Sequence, residues 1–180
     1  VIGYPKLRGE TLFNSAGVIY QGSLIAEYDK QCLPNYQVFD EKRYFTAGSE
    51  ACVVSIHGIS VALTICEDIW HDEPVAQAKA AGASVLININ ASPFHRGKQS
   101  ERLARVSSCA DAHQLPILYV NQVGGQDELV FDGGSFAVDA QGALCVSAET
   151  FAEALVPVSL DTSSALRVVP GETVSPREDL

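Results

Sequence analysis

An α/β fold is what the sequence predicts: a mixed sheet, or two packed sheets, with helices outside. Three observations predict it. Much of the chain is written as short apolar runs that meet at two-residue turn signals, the pattern of hairpins. After position 72 the order becomes helix, strand, helix, strand, which places helices against a sheet. The 180 residues are 47% hydrophobic and 19% charged, the balance of one globular domain able to bury a two-layer core.

The elements follow in order. Residues 1–5 read as the end of a strand, without a lead-in. Residues 16–20 and 24–28 read as strands around Gln21-Gly22. Residues 30–45 are irregular, with Pro34-Asn35 as a turn. Residues 51–56 and 59–66 form a second hairpin around His57-Gly58. Asp72 caps a helix that carries Pro74 in its first turn and ends at Gly82. Residues 84–90 are a strand. Residues 99–114 are a helix, because Leu103, Val106 and Ala110 recur at three- and four-residue steps. A strand at 117–123 leads into a Gly-rich loop over 123–134. Residues 135–139 and 143–147 make a last hairpin around Gln141-Gly142, and 152–160 add one more strand. The polar residues 161–180 read as a linker, so the domain is taken as 1–160.

Composition narrows the function. A net charge of −10 and a pI of about 4.7 do not suit a nucleic-acid backbone or an anionic membrane surface. No apolar run is long enough to cross a bilayer, and no leader-like segment opens the chain. Five cysteines without a C-x-x-C pair argue for reduced thiols and a cytoplasmic setting. No residues fall at a standard metal-ligand spacing; Cys66, Asp68 and His71 are close in sequence but fit no zinc pattern.

Cys66 is the leading candidate for chemistry. It closes an apolar strand where the chain turns polar, a rigid placement that suits a nucleophile and equally suits a buried core cysteine. Lys30 follows the first hairpin; it is either a solvated surface charge or an ammonium turned inward to stabilise an oxyanion and ease a thiol's ionisation. Ser92 and Lys98 follow a strand end, where they either bind the charged ends of an amino acid or cap and solvate a helix. Residues 131–135 are a substrate loop or a tight turn. A Cys–His dyad would draw on His71 or His95, and nothing selects either.

Several longer stretches resemble one family. Residues 28–36, Y-D-K-Q-C-L-P-N-Y, with V-F-D-E-K-R-Y-F at 38–45, are similar to the lysine segment of the nitrilase (carbon–nitrogen hydrolase) superfamily. I-C-E-D-I-W at 65–70 is similar to its nucleophile segment. N-A-S-P-F at 90–94 and the run from Tyr119 to Ser135 continue the match, in the form found in the glutaminase domain of glutamine-dependent NAD synthetases. The resemblance covers residues 3 to about 160.

It implies an α-β-β-α sandwich, truncated at the N-terminus, and a Glu-Lys-Cys triad. Cys66 is then the nucleophile, and Lys30 with the Glu67 backbone N–H supports the oxyanion. Tyr36, Glu67, Ser92 and Lys98 then bind L-glutamine. The implied reaction is attack on the side-chain amide, release of ammonia and hydrolysis of a γ-glutamyl thioester. The family's catalytic glutamate belongs to an upstream strand, so this polypeptide is expected to lack it and to have little activity alone. The resemblance also implies no cofactor here, with ATP, Mg and deamido-NAD bound by a synthetase domain beyond residue 180, and a homo-oligomer paired through outer helices. Two other readings remain: a stand-alone amidase for another small amide, and a non-catalytic nitrilase-fold module used in assembly.

Overall fold

The structure, a computed structural model, describes residues 1–161 and 167–170. Two compact units divide the chain, Val1–Ile89 and Asn90–Leu180.

The first unit opens with three antiparallel strands, β1 (Ile2–Arg8), β2 (Thr11–Tyr20) and β3 (Ser23–Asp29), in the order β1-β2-β3. The opening strand is longer than residues 1–5, and β2 starts five residues before the expected position 16. The cause is the turn at Gly9, whose φ of 62° closes a hairpin between β1 and β2. Pro5 is tolerated because β1 borders the three-stranded sheet. Small residues on β2 let side chains of β1 cross it: a Cβ on Gly17 would stand 3.0 Å from the Tyr4 ring. Tyr4 bonds Glu27, while Lys6 and Arg8 pair with Glu27 and Asp29 at 2.8 Å.

A second layer contains β4 (Cys52–Ile56), β5 (Ile59–Ile65) and β6 (Val85–Asn90); β5 runs antiparallel to β4 and parallel to β6. Both expected turns, Gln21-Gly22 and His57-Gly58, have positive φ at both positions, the twist that suits a tight hairpin. From Val61 to Ile65 every residue of β5 is buried, so both of its faces are covered. Leu63 and Ile65 pack with Ala16, Val18 and Tyr28 of the first sheet, joined by Ile87 and Ile89. By strand alternation Ala62 and Thr64 face the other way, toward α1 (Asp72–Ala80), which buries Val75 and Ala78. Sheet, sheet and helix thus stack as three layers. Asp72 is the first helical residue and His71 the N-cap, one residue earlier than expected.

The second unit holds α2 (Lys98–His113) and a sheet in which β10 (Phe136–Val138) lies antiparallel to both β7 (Ile117–Asn121) and β11 (Leu144–Ser147). The Gly-rich stretch expected as a loop is mostly a hairpin, β8 (Val123–Gln126) with β9 (Leu129–Asp132). Glycine weakens a strand signal without preventing backbone pairing. The last expected strand is shorter, β12 (Val158–Asp161). It pairs with β13 (Arg167–Pro170), which lies within the stretch read as a linker; 162–166 and 171–180 lie outside the described residues.

Candidate active site

Within the first unit, the charges of Lys30, Glu67, Glu41 and Asp68 all act on one thiol, that of Cys66. β5 delivers Cys66 to its end, where φ is 45°, a left-handed value uncommon for a residue with a side chain. The chain then turns into a 3-10 helix, Cys66–Trp70. Its first backbone N–H groups, that of Glu67 among them, lack partners within the helix. Such a turn at a strand end holds a side chain rigidly at the edge of the core. Cys66 is half-buried and forms no disulfide.

Lys30 follows β3 directly. It is 1% exposed, which removes the solvated-charge reading. Its Nζ donates to both carboxylate oxygens of Glu41, at 2.7 and 2.8 Å, as a buried ammonium requires. Its backbone is held on both sides: its N–H donates to Asn14 O, and its carbonyl accepts from Gly48 N–H, each at 2.8 Å. Glu41 sits on a short 3-10 helix, Glu41–Arg43, inside the irregular stretch. Glu41 falls within the V-F-D-E-K-R-Y-F stretch, where nothing local marks it for a role. The available signal was electrostatic: a lysine turned inward needs a carboxylate, and that stretch supplies one.

The two candidates act on each other. Burial pushes the Cys66 thiol up to about 11; the Lys30 ammonium works against that rise, and Glu67, Glu41 and Asp68 add to it. The resting group is therefore a neutral thiol that ionises against burial and three carboxylates, with one cation in its favour. Tyr36 belongs to the same cluster. Its hydroxyl donates to Glu67 at 2.8 Å, and burial with that bond raises its pKa. Glu67 also lies 3.5 Å from His71. A cavity of about 660 Å³ opens here, with Tyr36, Glu67, His71, Lys42 and residues 31–35 on its wall. Cys66 and Lys30 are not lining residues; Glu67, next to Cys66, is.

The remaining site candidates lie in the second unit. Ser92 is buried, and its hydroxyl accepts from Arg102 Nε at 3.2 Å. Its N–H donates to Asn121 Oδ1 at 2.9 Å. Arg102, fully buried, donates to both oxygens of Asp132 at 2.8 and 3.0 Å and to the carbonyls of Ser92 and Pro93. This network braces the 92–93 segment. Lys98 opens α2 and lies 3.4 Å from Glu101. The 131–135 stretch turns at Gly133 and Gly134, both at positive φ, and Gln99 and Asn121 donate to their carbonyls. His95 is 3.5 Å from Glu101. Among the described residues no group of three or more His, Cys, Asp or Glu is placed to hold a metal, and no helix is long and apolar enough to cross a membrane.

Comparison with known proteins bears on this cluster. The family model described as carbon-nitrogen hydrolase matches residues 1–167. The chain is 45% identical over 161 residues to the glutamine-dependent NAD(+) synthetase of Thermotoga maritima, covering 88% of this chain and 28% of that protein. It is 43% identical over 167 residues to that of Aquifex aeolicus, covering 92% and 29%. It thus spans under a third of the length of these curated relatives. The glutamine-dependent NAD+ synthetase of Acinetobacter baumannii, solved with ADP, superposes with a TM-score of 0.89 at 36% identity, over 98% of this chain and 34% of that one. An amidase from Nesterenkonia superposes with a TM-score of 0.73 at 27% identity, over 82% and 55%.

Proposed function

Since the chain belongs to the carbon–nitrogen hydrolase family, we propose that it hydrolyses the side-chain amide of L-glutamine and supplies the ammonia for NAD synthesis. The observation that carries this reading is the buried Lys30 ammonium acting on the Cys66 thiol. Cys66 Sγ attacks the amide carbon, and its proton leaves with the departing ammonia. Lys30 and the Glu67 N–H stabilise the oxyanion of the tetrahedral intermediate. Water then cleaves the γ-glutamyl thioester to glutamate. Glu41 holds the Lys30 ammonium in place through its two contacts. Tyr36 and Glu67 border the cavity that receives the amino-acid end.

The names of the relatives support the specific substrate and the fate of the ammonia. ATP, Mg and deamido-NAD belong, in this reading, to a synthetase domain acting with this one. Oligomerisation through outer helices and a cytoplasmic setting complete the proposal.

An electrophilic glutamine analogue, a diazoketone, tests it without requiring turnover. Peptide mapping is expected to find the label on Cys66, with free glutamine protecting and Cys66→Ala unlabelled. Lys30→Met should slow labelling by about 10²–10³-fold, the scale of losing an oxyanion donor. Labelling of Cys66 that glutamine does not suppress, while a simple aliphatic amide does, would transfer the reading to an amidase of another small amide. No labelling of Cys66 at all would overturn both.

A further inference from the structure

Asp68 is fully buried, two residues beyond the nucleophile, and carries no role in the chemistry above. Its carboxylate accepts four hydrogen bonds. One oxygen takes the Tyr28 hydroxyl at 2.8 Å and the Ile65 N–H at 2.9 Å. The other takes the N–H groups of Gln31 at 3.1 Å and Cys32 at 2.7 Å. One of these partners, Ile65, directly precedes Cys66, and Asp68 itself lies two residues beyond it. The other three flank Lys30, on both sides. A carboxylate is the side chain for this task, because it accepts on both oxygens and every partner is a donor. Burying it raises its pKa, while Ile65, Cys32 and Tyr28 pull the other way by bonding the charged form.

We infer that Asp68 is a positioning residue that holds the segment carrying Lys30 against the turn carrying Cys66, and so sets the ammonium–thiol geometry on which the reaction depends. The inference rests on the amide-hydrolysis reading for its purpose but not for its test. A carboxamide at this position keeps one acceptor oxygen and turns an NH₂ toward donors, so it loosens at least one side of the clamp.

Alkylation of Cys66 by iodoacetamide, followed by peptide mapping against pH, tests this in the full chain. The charges acting on the thiol are Lys30, Glu67, Glu41 and Asp68. The signs of the two possible effects are opposite. Deleting the Asp68 charge alone eases ionisation of the thiol and speeds alkylation. Displacing Lys30 hinders ionisation and slows it. Asp68→Asn is expected to slow alkylation at pH 8 on the order of tenfold, since the thiolate is the reactive form. In a Lys30→Met background the same substitution is expected to speed it, because no ammonium remains to be displaced. Equal slowing in both backgrounds would mean general loosening and would overturn the inference, as would acceleration in both. Asp68→Glu keeps the charge and changes the reach, so it should also slow alkylation; if Asp68→Asn does not fold, an unchanged rate in Asp68→Glu overturns the clamp. Failure of the diazoketone to label the unsubstituted protein would sink the glutaminase reading while leaving this test intact, since iodoacetamide needs only the thiol.

Discussion

At Lys30 the chain buries an ammonium and answers it with Glu41, eleven positions later, at 2.7 and 2.8 Å. Neither residue announces itself by periodicity, because both lie where the backbone is irregular. The pair matters through its effect on Cys66: Glu41 raises the thiol's pKa and Lys30 lowers it. Glu41→Gln leaves Lys30 an acceptor oxygen and deletes the opposing charge. Alkylation of Cys66 by iodoacetamide at pH 8 should therefore speed up, by about tenfold if the charge acts as strongly as close charges ordinarily do. A slower rate, measured on the Cys66 peptide, would show that Glu41 controls the position of Lys30 more than the field at the thiol. Ser92 teaches a different lesson. Its hydroxyl accepts from a buried arginine and its N–H is taken by Asn121, contacts that no local pattern in the sequence reveals.

Among the elements, turns were the most legible features. Gln21-Gly22, His57-Gly58 and the Gly142 turn all stand where the sequence places them, because positive φ demands particular residues. Strand bounds were less legible. β2 begins at Thr11, and the β8–β9 hairpin occupies a stretch that glycines disguised as loop. The loop that returns from Glu41 to β4 is tied down at Gly48, whose N–H donates to the Lys30 carbonyl. A Cβ there would stand 2.1 Å from the Asp29 carbonyl oxygen, a backbone atom that cannot swing aside. Gly48→Ala should therefore cost about 1–3 kcal/mol of stability, the usual range for overpacking. Urea denaturation of the two proteins measures it, and a difference near zero would mean that the Lys30 strand end yields easily.

For the whole chain, burial of neutral thiols and phenols ties stability to alkaline pH. The Cys66 thiol is pushed up to about 11, and Cys32 and Tyr4 up to about 12, each first by burial. In the unfolded chain these groups ionise earlier, near 9 for a thiol and 10 for a phenol, so the folded state holds their protons more tightly. Their contribution is complete below about pH 8 and is lost as pH rises from 9 through about 12. The melting temperature, followed by circular dichroism with reductant present, should stay level from pH 7 to about 8 and then fall steadily. A level profile to pH 11 would show that these groups are as open to water when folded as when unfolded.

The sequence by itself determined the α/β class, most of the helices and turns, and the identity of Cys66 and Lys30 as the residues to watch. Those features depend on local periodicity, on turn stereochemistry and on motif order, all of which are written along the chain. Tertiary structure alone decided that Lys30 is buried, that Glu41 holds it, and that Asp68 joins its segment to the Cys66 turn. Those facts depend on which distant backbone donors and carboxylates are brought together away from water, and sequence separation carries no record of that distance.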